Sequence, residues 1–212
     1  MNVTSVNRGR REQLSGRSFS GETGIFKRPV SGPVHVGKFG LEADDIVNTK
    51  HHGGADQAVY LYRAEDYAWW SEALGREVAA GSFGENLTLD GLPSPGLPIG
   101  ARLQFDTVIL EVTAPRIPCN TLETRMGEPD FIKAFIRAER PGLYCRVIRE
   151  GNIETGQGFA LDTSTGVELT TVDLFRASYR KLRRDELEEF LAAPIDIRSR
   201  RAFEKQLAAV RD

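Results

Sequence analysis

A cysteine at the predicted start of a helix combines a reactive residue type with an activating position. Cys119 follows two prolines that stiffen a loop, and Arg116 lies three residues before it. A helix N-terminus and a nearby cation favour the thiolate, which binds soft metals or acts as a nucleophile. The alternative is a small buried residue at a crossover between elements, because free cysteines are commonly buried.

A glycine-rich segment carries a second set of chemically competent residues. Residues 49–56 read TKHHGGAD, and the residues of interest are Lys50, His51, His52, Gly53 and Gly54. Adjacent glycines let backbone N–H groups converge into an anion-binding nest, and the basic side chains add further donors. The segment therefore predicts a phosphate-binding loop. The alternative is a tight turn whose basic residues face water.

A third segment, Phe83–Leu87 (FGENL), contains a glycine followed by two polar side chains, Glu85 and Asn86. The glycine indicates close backbone approach, and the amide of Asn86 suits recognition of a polar ring edge. The alternative is a turn at the start of a strand. A zinc site is not expected, because three histidines and two cysteines show no CxxC or HxxxH spacing.

The elements that must position these residues are mostly β, followed by α. The predicted strands are Ile25–Val30 and Pro33–Lys38 as a hairpin, Asp56–Tyr62, Gly84–Leu89, Arg102–Thr113, and Tyr144–Arg149 with Asn152–Glu154 as a hairpin. The predicted helices are Ala64–Leu74, a helix from Asn120 to Met126, and three short helices after Leu169. Capping-box spacing pairs Asn120 with Glu123 and Thr170 with Asp173, and Ser199 is the expected cap of the third C-terminal helix.

Composition and charge narrow the class of protein. A chain of 212 residues, 40% hydrophobic and 27% charged, suits one ordinary domain with a small appendage. The net charge of −2 draws the chain neither to nucleic acid nor to an anionic membrane. No apolar run is long enough to span a bilayer, and no secretory h-region is visible. With two cysteines, we expect a cytoplasmic protein.

Four segments taken together resemble one family. In chain order, they are FKRPV, LEADDIVNTKHHGGADQAVYLY, FGENLTLDG and VTAPRIPCNTLE. They closely resemble the MOSC domain, named for the C-terminal part of molybdenum cofactor sulfurase, from about residue 20 to about residue 165. The three predicted C-terminal helices resemble those of the branch linked to resistance against N-hydroxylaminopurine bases.

The resemblance implies a fold and a division into two parts. The expected fold is mixed β/α, with a β-barrel-like body, peripheral helices and a small three-helix C-terminal subdomain. The expected boundaries are 1–166 for the cofactor-binding body and 167–212 for the helical subdomain. One departure from the family pattern occurs at Ala43-Asp44-Asp45, where related chains usually carry Gly-Asp.

The resemblance also implies a molybdenum cofactor and its binding residues. Cys119 matches the cysteine that ligates molybdenum, and Arg116 matches a basic position near the metal. The loop His52-Gly53-Gly54, with Lys50 beside it, would bind the pterin-phosphate part. The matching polar positions, expected to hold the cofactor or shape its loops, are Asp56, Glu85, Asn86 and the more variable Asn120.

The expected reaction is reduction of an N–OH group to N–H in a small N-hydroxylated substrate, a detoxification activity. His51 or His52 would deliver protons. Electrons would come from a separate flavoprotein or ferredoxin-type donor, because two cysteines cannot hold a four-thiolate cluster and no GxGxxG unit is present. The helical tail would form a donor-docking or homodimer surface, or a lid.

Two other classes of function stay open from the sequence. The chain could carry the cofactor, or sulfur on Cys119, and pass it on without turnover. A persulfide on that cysteine would favour the carrier. The chain could also be a binding module with a degenerate site, which absence of metal and pterin would favour.

Overall fold

The computed structural model describes residues 1–93 and 96–209, and its elements run from mostly β to purely α. The strands are β1 (Asn2–Arg8), β2 (Glu12–Ser15), β3 (Ser20–Thr23), β4 (Arg28–Pro29), β5 (Val34–Gly37), β6 (Gly40–Leu41), β7 (Val59–Arg63), β8 (Leu87–Asp90), β9 (Arg102–Gln104), β10 (Ile109–Ala114), β11 (Leu143–Arg149), β12 (Gly151–Ile153) and β13 (Ala160–Asp162). The helices are α1 (Ala64–Leu74), α2 (Asn120–Met126), α3 (Phe131–Ala138), α4 (Thr171–Ala177), α5 (Arg184–Ala192) and α6 (Ile197–Ala209), and a 3-10 turn covers Ala55–Gln57.

An eight-stranded sheet forms the body, in the order β13-β9-β10-β11-β7-β8-β1-β4. Strands β7 and β8 pair in parallel, and α1 provides the crossover between them. Two smaller sheets, β12-β5-β6 and β2-β3, lie outside it. The mixed α/β class is therefore confirmed. The barrel-like form is not, because the described strands form no closed barrel, although a bridge joins Asn2 to Gly158.

The core lies on both faces of β7. Four consecutive residues of this strand, Val59, Tyr60, Leu61 and Tyr62, are buried, as in strands covered on both sides. Trp70 of α1 donates a hydrogen bond of 2.7 Å to the Tyr62 hydroxyl within an aromatic cluster. The rest of that cluster is Tyr67, Phe83, Phe131 and Phe135. Trp70 and Cys145 are both buried in this core.

Three predictions about strands are wrong. The segment Arg102–Thr113 forms two strands, because the chain turns where Phe105 N–H bonds to Val108 O. The hairpin predicted around Ser31-Gly32 does not form, since β4 pairs with β1 and β5 pairs with β12. The hairpin predicted around Glu150-Gly151 does not form either, because β11 pairs with β10 and β7 whereas β12 pairs with β5. Turn residues indicate where a chain reverses, but they do not specify its pairing partner.

Two predicted helix caps are also wrong. The N-cap of α2 is Cys119, so Asn120 is the first helical residue and does not cap. The Glu123 carboxylate accepts instead from Ser18 and from the backbone of Ile132. Helix α6 begins at Ile197, two residues before Ser199. Its first turn is capped by the Asp196 carboxylate, which accepts from Arg198 N–H and Ser199 N–H. Local sequence cannot rank several polar residues that stand near one helix start.

The C-terminal part contains three helices, α4 to α6, as expected from their patterns. The predicted capping box of Thr170 and Asp173 is confirmed at α4. Helices α5 and α6 pack through Phe190 and Phe203, whose ring centroids are 5.4 Å apart. The apolar residues whose spacing predicts the third of these helices include Val210, which falls outside the described residues. A division of the chain at residue 166 stays a prediction.

The sequence patterns did not reveal strands β1 to β3, β6 and β13, or helix α3. Within the residues described, none of the helices has both the length and the apolar character needed to span a membrane.

Candidate functional site

A cavity of about 450 Å³ brings together segments that are distant in the sequence. One wall comes from the segment 44–53, and another from residues 22–25, which comprise the end of β3 and the two residues after it. Tyr60 and Tyr144 close the cavity against the eight-stranded sheet, and Cys119 lines it at the start of α2. Three motifs singled out in the sequence therefore meet around one space.

The reactive sulfur stands beside a histidine in this cavity. Cys119 Sγ lies 4.0 Å from His52 Nε2, and both residues line the cavity. Cys119 is a free, half-buried thiol held at the N-cap of α2 by the stiff loop before it. The sulfur is therefore fixed in position and accessible from the cavity, which suits either a metal ligand or a nucleophile.

Arg116 provides a buried positive charge next to this sulfur. Its residue surface is only 4% exposed, and its guanidinium stacks 5.1 Å from the centroid of the Tyr60 ring. Burial by itself lowers the pKa of Arg116, but Tyr144, Tyr60 and Cys119 raise it above its ordinary value, so the group stays charged. Its Nε atom is buried and has no hydrogen-bond partner in the protein. A donor without a partner, beside a cavity, points to an anionic or polar ligand.

A second cation, Lys27, also lines the cavity and is held by a buried carboxylate. The ammonium of Lys27 pairs with both carboxylate oxygens of Asp44. Asp44 also accepts from Gly9 N–H at 2.7 Å and from the Asn86 side-chain amide at 2.9 Å. Burial lowers the pKa of Lys27 below its ordinary value, and the opposing effect of Asp44 offsets only part of this shift. The pair thus fixes a lysine in the cavity wall at low net charge.

The glycine-rich loop supplies the third basic face. Gly53 has φ of +70°, and a Cβ there would come within 2.9 Å of the Ile46 side chain, so glycine is required. The turn is closed by hydrogen bonds from His51 N–H and His52 N–H to Asn48 O. Lys50 is exposed and lines the cavity mouth.

The charge environment makes His52 a neutral base. Burial, together with the positive charges of Arg116, Arg198 and Lys27, lowers the pKa of His52 to about 4. The imidazole is therefore uncharged at neutral pH and faces the sulfur as a hydrogen-bonding group. The neighbouring His51 is exposed and does not line the cavity.

Five of the predicted site residues lie outside the cavity lining, namely His51, Gly54, Asp56, Glu85 and Asn120. The Glu85 carboxylate turns into the core, where it accepts from the Tyr67 hydroxyl, from Gly81 N–H and from Thr88. Burial raises the pKa of Glu85. Asp56 binds Arg146 and the start of α6, and Asn120 is exposed on α2. These positions are placed to shape the loops around the cavity.

Residues that the sequence reasoning did not assign also line the cavity. Lys27 and Asp44 belong to segments quoted for the family resemblance, but their burial and pairing leave no local signal. The departure at Ala43 now has a physical account, because its φ of +59° lies in the left-handed region that glycine prefers. The alanine adopts the strained turn and still delivers Asp44 to Lys27.

The donor set limits what kind of metal could bind. Among residues 1–93 and 96–209, no three His, Cys, Asp or Glu side chains converge as a metal site. A metal in this cavity would therefore need ligands from a non-protein group in addition to any that Cys119 or its neighbour His52 provides. Cations around the cavity favour an anionic group in that role.

Comparisons with known proteins agree with this arrangement. The MOSC domain family matches residues 48–159. The Bacillus subtilis (strain 168) protein YflK is 35% identical over 159 residues, which cover 75% of this chain and 72% of YflK. A Gibberella moniliformis (strain M3125 / FGSC 7600) protein named Reductase is 33% identical over 141 residues, 65% of this chain but 25% of that protein.

A solved structure extends the likeness beyond the matched domain. The crystal structure of YiiM from Geobacillus stearothermophilus superposes with a TM-score of 0.80 at 29% identity, covering 97% of this chain and 98% of that chain. The matched family segment contains the glycine-rich loop, the neutral histidine and the cavity cysteine. The chain therefore belongs to the MOSC domain family.

Proposed function

We propose that this protein binds the molybdenum cofactor and reduces small N-hydroxylated compounds, such as N-hydroxylaminopurine-type bases, to amines. The observation that carries the proposal is the Cys119 sulfur, which lines a cavity together with the cations Arg116, Lys27 and Lys50. The similar Gibberella protein is named Reductase, which supports redox chemistry. Electrons would come from a separate donor protein of the flavoprotein or ferredoxin type.

The residues around the cavity fit this cofactor chemically. Its phosphate and dithiolene groups are anionic. The cavity offers the cations Arg116 and Lys50, a third cation, Lys27, that is paired with Asp44, and an unpartnered buried N–H of Arg116. A thiolate is the soft ligand that molybdenum takes, and Cys119 is the free cysteine on the cavity. When bound, the cofactor supplies the two electrons that cleave the N–O bond. The protein supplies position, charge balance and protons.

Each cavity residue has a role that follows from its position. Cys119 would ligate the metal from the rigid start of α2. The loop that contains Lys50 and Gly53 would hold the phosphate end, because its backbone turn and exposed cation suit an anion. Arg116 would offset negative charge near the sulfur. The Lys27–Asp44 pair would fix the opposite wall, since Asp44 ties that wall to Asn86.

Proton supply falls to His52 rather than to His51, because His52 lines the cavity beside the sulfur. Reduction of R–NHOH to R–NH2 and water consumes two electrons and two protons. The cations that hold the pKa of His52 near 4 would be offset by an anionic group in the cavity. The pKa of His52 would then move back towards neutrality, where an imidazole exchanges protons efficiently.

The decisive experiment measures molybdenum and pterin per chain in protein from a host that makes the cofactor. Cys119→Ala is the test variant, and Cys145→Ala, at the buried second cysteine, is the matched control. Near-stoichiometric metal in the wild type and in the Cys145 variant, lost in the Cys119 variant, is the expected result. Reduction of an N-hydroxylated purine with a chemical reductant should follow the same pattern.

Other results would change the assignment. Bound cofactor without turnover, or a persulfide on Cys119 detected by mass spectrometry, would indicate a carrier of cofactor or sulfur. Absence of both molybdenum and pterin from the wild-type protein would refute the redox proposal and leave a binding module.

A further inference from the structure

The glycine-rich loop is held from the far end of the chain by one arginine. Arg198, in the first turn of α6, donates to Gly53 O and to Gln57 Oε1, both at 2.9 Å. The same guanidinium donates to His52 O at 3.2 Å and to Thr49 O at 3.3 Å. One side chain therefore satisfies three backbone carbonyls of the loop and the glutamine that follows it.

The start of α6 is itself fixed to the segment that follows the loop. The Asp56 carboxylate accepts from Ile197 N–H at 2.9 Å and forms an ion pair with Arg146. The Gln57 amide donates to the Asp196 carboxylate, which also accepts from Arg198 N–H. Arg198 is thus anchored at its backbone before its side chain reaches the loop.

This arrangement matters because it adds to the two backbone hydrogen bonds that close the turn at Asn48 O, in a loop that contains two glycines. Gly53 and Gly54 have positive φ, and neither contributes a side chain. Loss of Arg198 would leave three carbonyls to water and permit other backbone conformations, since glycine restricts the chain least. Arg198 does not line the cavity, so it makes no direct contact there and acts through the loop, apart from the effect of its charge on His52. Arg198→Lys keeps that charge and therefore separates the two effects.

We infer that Arg198 is a positioning residue, which holds the loop of residues 49–54 in the conformation that binds the cofactor phosphate. The inference rests on the proposed function, because it assigns that loop to the cofactor. It makes α6 part of the cofactor site, although α6 supplies no cavity-lining residue. A planar guanidinium can bond four acceptors in fixed directions, which an ammonium cannot do.

The test compares Arg198→Ala and Arg198→Lys with Arg200→Ala. Arg200 is a matched control, because it also binds two backbone carbonyls, Leu191 O and Ala193 O, but these belong to α5 and its C-cap. For each purified holoprotein, molybdenum and pterin retained during dialysis are measured, with hydrogen exchange of the amides at 49–54. The melting temperature reports any general loss of stability.

We expect Arg198→Ala to lose cofactor about tenfold faster or more, in the range typical of groups that orient ligand-binding residues. Exchange should accelerate at 49–54, Arg198→Lys should be intermediate, and Arg200→Ala should retain cofactor like the wild type. Equal retention in Arg198→Ala and wild type, or equal losses in Arg198→Ala and Arg200→Ala, would overturn the inference while leaving the proposed function intact. A wild-type protein without cofactor would refute both.

Discussion

The Cys119 sulfur lies 4.0 Å from Nε2 of His52, although the two residues are 67 positions apart in the chain. The fold brings together the loop after a proline-rich strand end and the turn that contains the glycine pair. Burial and three cations hold the pKa of His52 near 4, so the imidazole is neutral at neutral pH. The two side chains therefore do not form the thiolate–imidazolium pair that activates a cysteine nucleophile. This arrangement favours a metal-ligand role for Cys119 over a nucleophilic role.

The two cysteines should differ sharply in reactivity. Cys119 is half-buried on a cavity, whereas Cys145 is fully buried in β11, where burial raises the pKa of its thiol. We expect iodoacetamide to modify Cys119 alone in the folded, cofactor-free protein, and cofactor to protect it. Peptide mass spectrometry measures the sites. Labelling of the folded Cys119→Ala variant at Cys145 would contradict this assignment.

Stability should fall on acidification because of His52. Its pKa is about 4 in the folded chain and about 6.5 when unfolded. Between these values the unfolded chain binds a proton that the folded chain does not, so the free energy of unfolding decreases as pH falls. The stabilisation that neutral His52 contributes to the free energy of unfolding is fully present above the unfolded pKa. It is on the order of 3 kcal/mol relative to pH values below the folded pKa.

Urea unfolding across this pH range provides the measurement for His52. His52→Asn should flatten the pH dependence, while His51→Asn, at the exposed neighbour, should keep the wild-type profile. Parallel profiles for His52→Asn and wild type would show that His52 is not the group responsible.

Glu85 should act on stability rather than on cofactor contact. Its carboxylate accepts from Tyr67, from Gly81 N–H and from Thr88, so Glu85→Ala leaves buried donors unpaired at about 1–3 kcal/mol each. Glu85→Gln keeps an acceptor oxygen and removes the buried charge. We expect Glu85→Gln to retain both fold and molybdenum content, and Glu85→Ala to unfold readily.

The pH dependence distinguishes this role of Glu85 further. Burial raises its folded pKa above the unfolded value, so wild-type stability falls as pH rises through that window. The stability of Glu85→Gln relative to wild type should therefore increase with pH. Glu42→Gln, at an exposed carboxylate, is the control and should show no such trend. Loss of molybdenum from a stably folded Glu85→Gln protein would indicate direct contact with cofactor.

The strained alanine offers a stabilising substitution. Ala43 has φ of +59°, and glycine adopts this conformation without the Cβ clash. Ala43→Gly should increase the free energy of unfolding by about 1 kcal/mol. Ala134→Gly, the same change within α3, should lower it by about 1 kcal/mol. Denaturant titration measures both, and a loss of stability in Ala43→Gly would refute the strain argument.

Local patterns in the sequence were sufficient for helices but not for strand partners. The bounds of α1 and α2 match the prediction, because 3–4 spacing and helix-forming residues act within a few turns. The hairpins predicted around Ser31-Gly32 and Glu150-Gly151 failed, because β5 pairs with β12 across more than a hundred residues. Pairing over such distances is decided by packing of the whole sheet.

The site shows the same limit. Three predicted residues have both a reactive side chain and a distinctive local sequence, and the structure brings them to one cavity. They are Cys119, His52 and Arg116. Lys27 and Asp44 have ordinary neighbours, and only the fold reveals that they form a buried pair. Arg198 could not be found from the loop it supports, because 145 positions separate it from Gly53.

That separation also bears on the order in which the protein is made. The loop of residues 49–54 leaves the ribosome long before the helix that anchors it, and N-terminal parts of a chain fold first during synthesis. Until α6 emerges, three loop carbonyls lack the guanidinium that binds them. The nascent chain therefore presents a loop that is not yet held in its final shape, and the cofactor proposed to bind there would enter after α6 has been synthesised and docked.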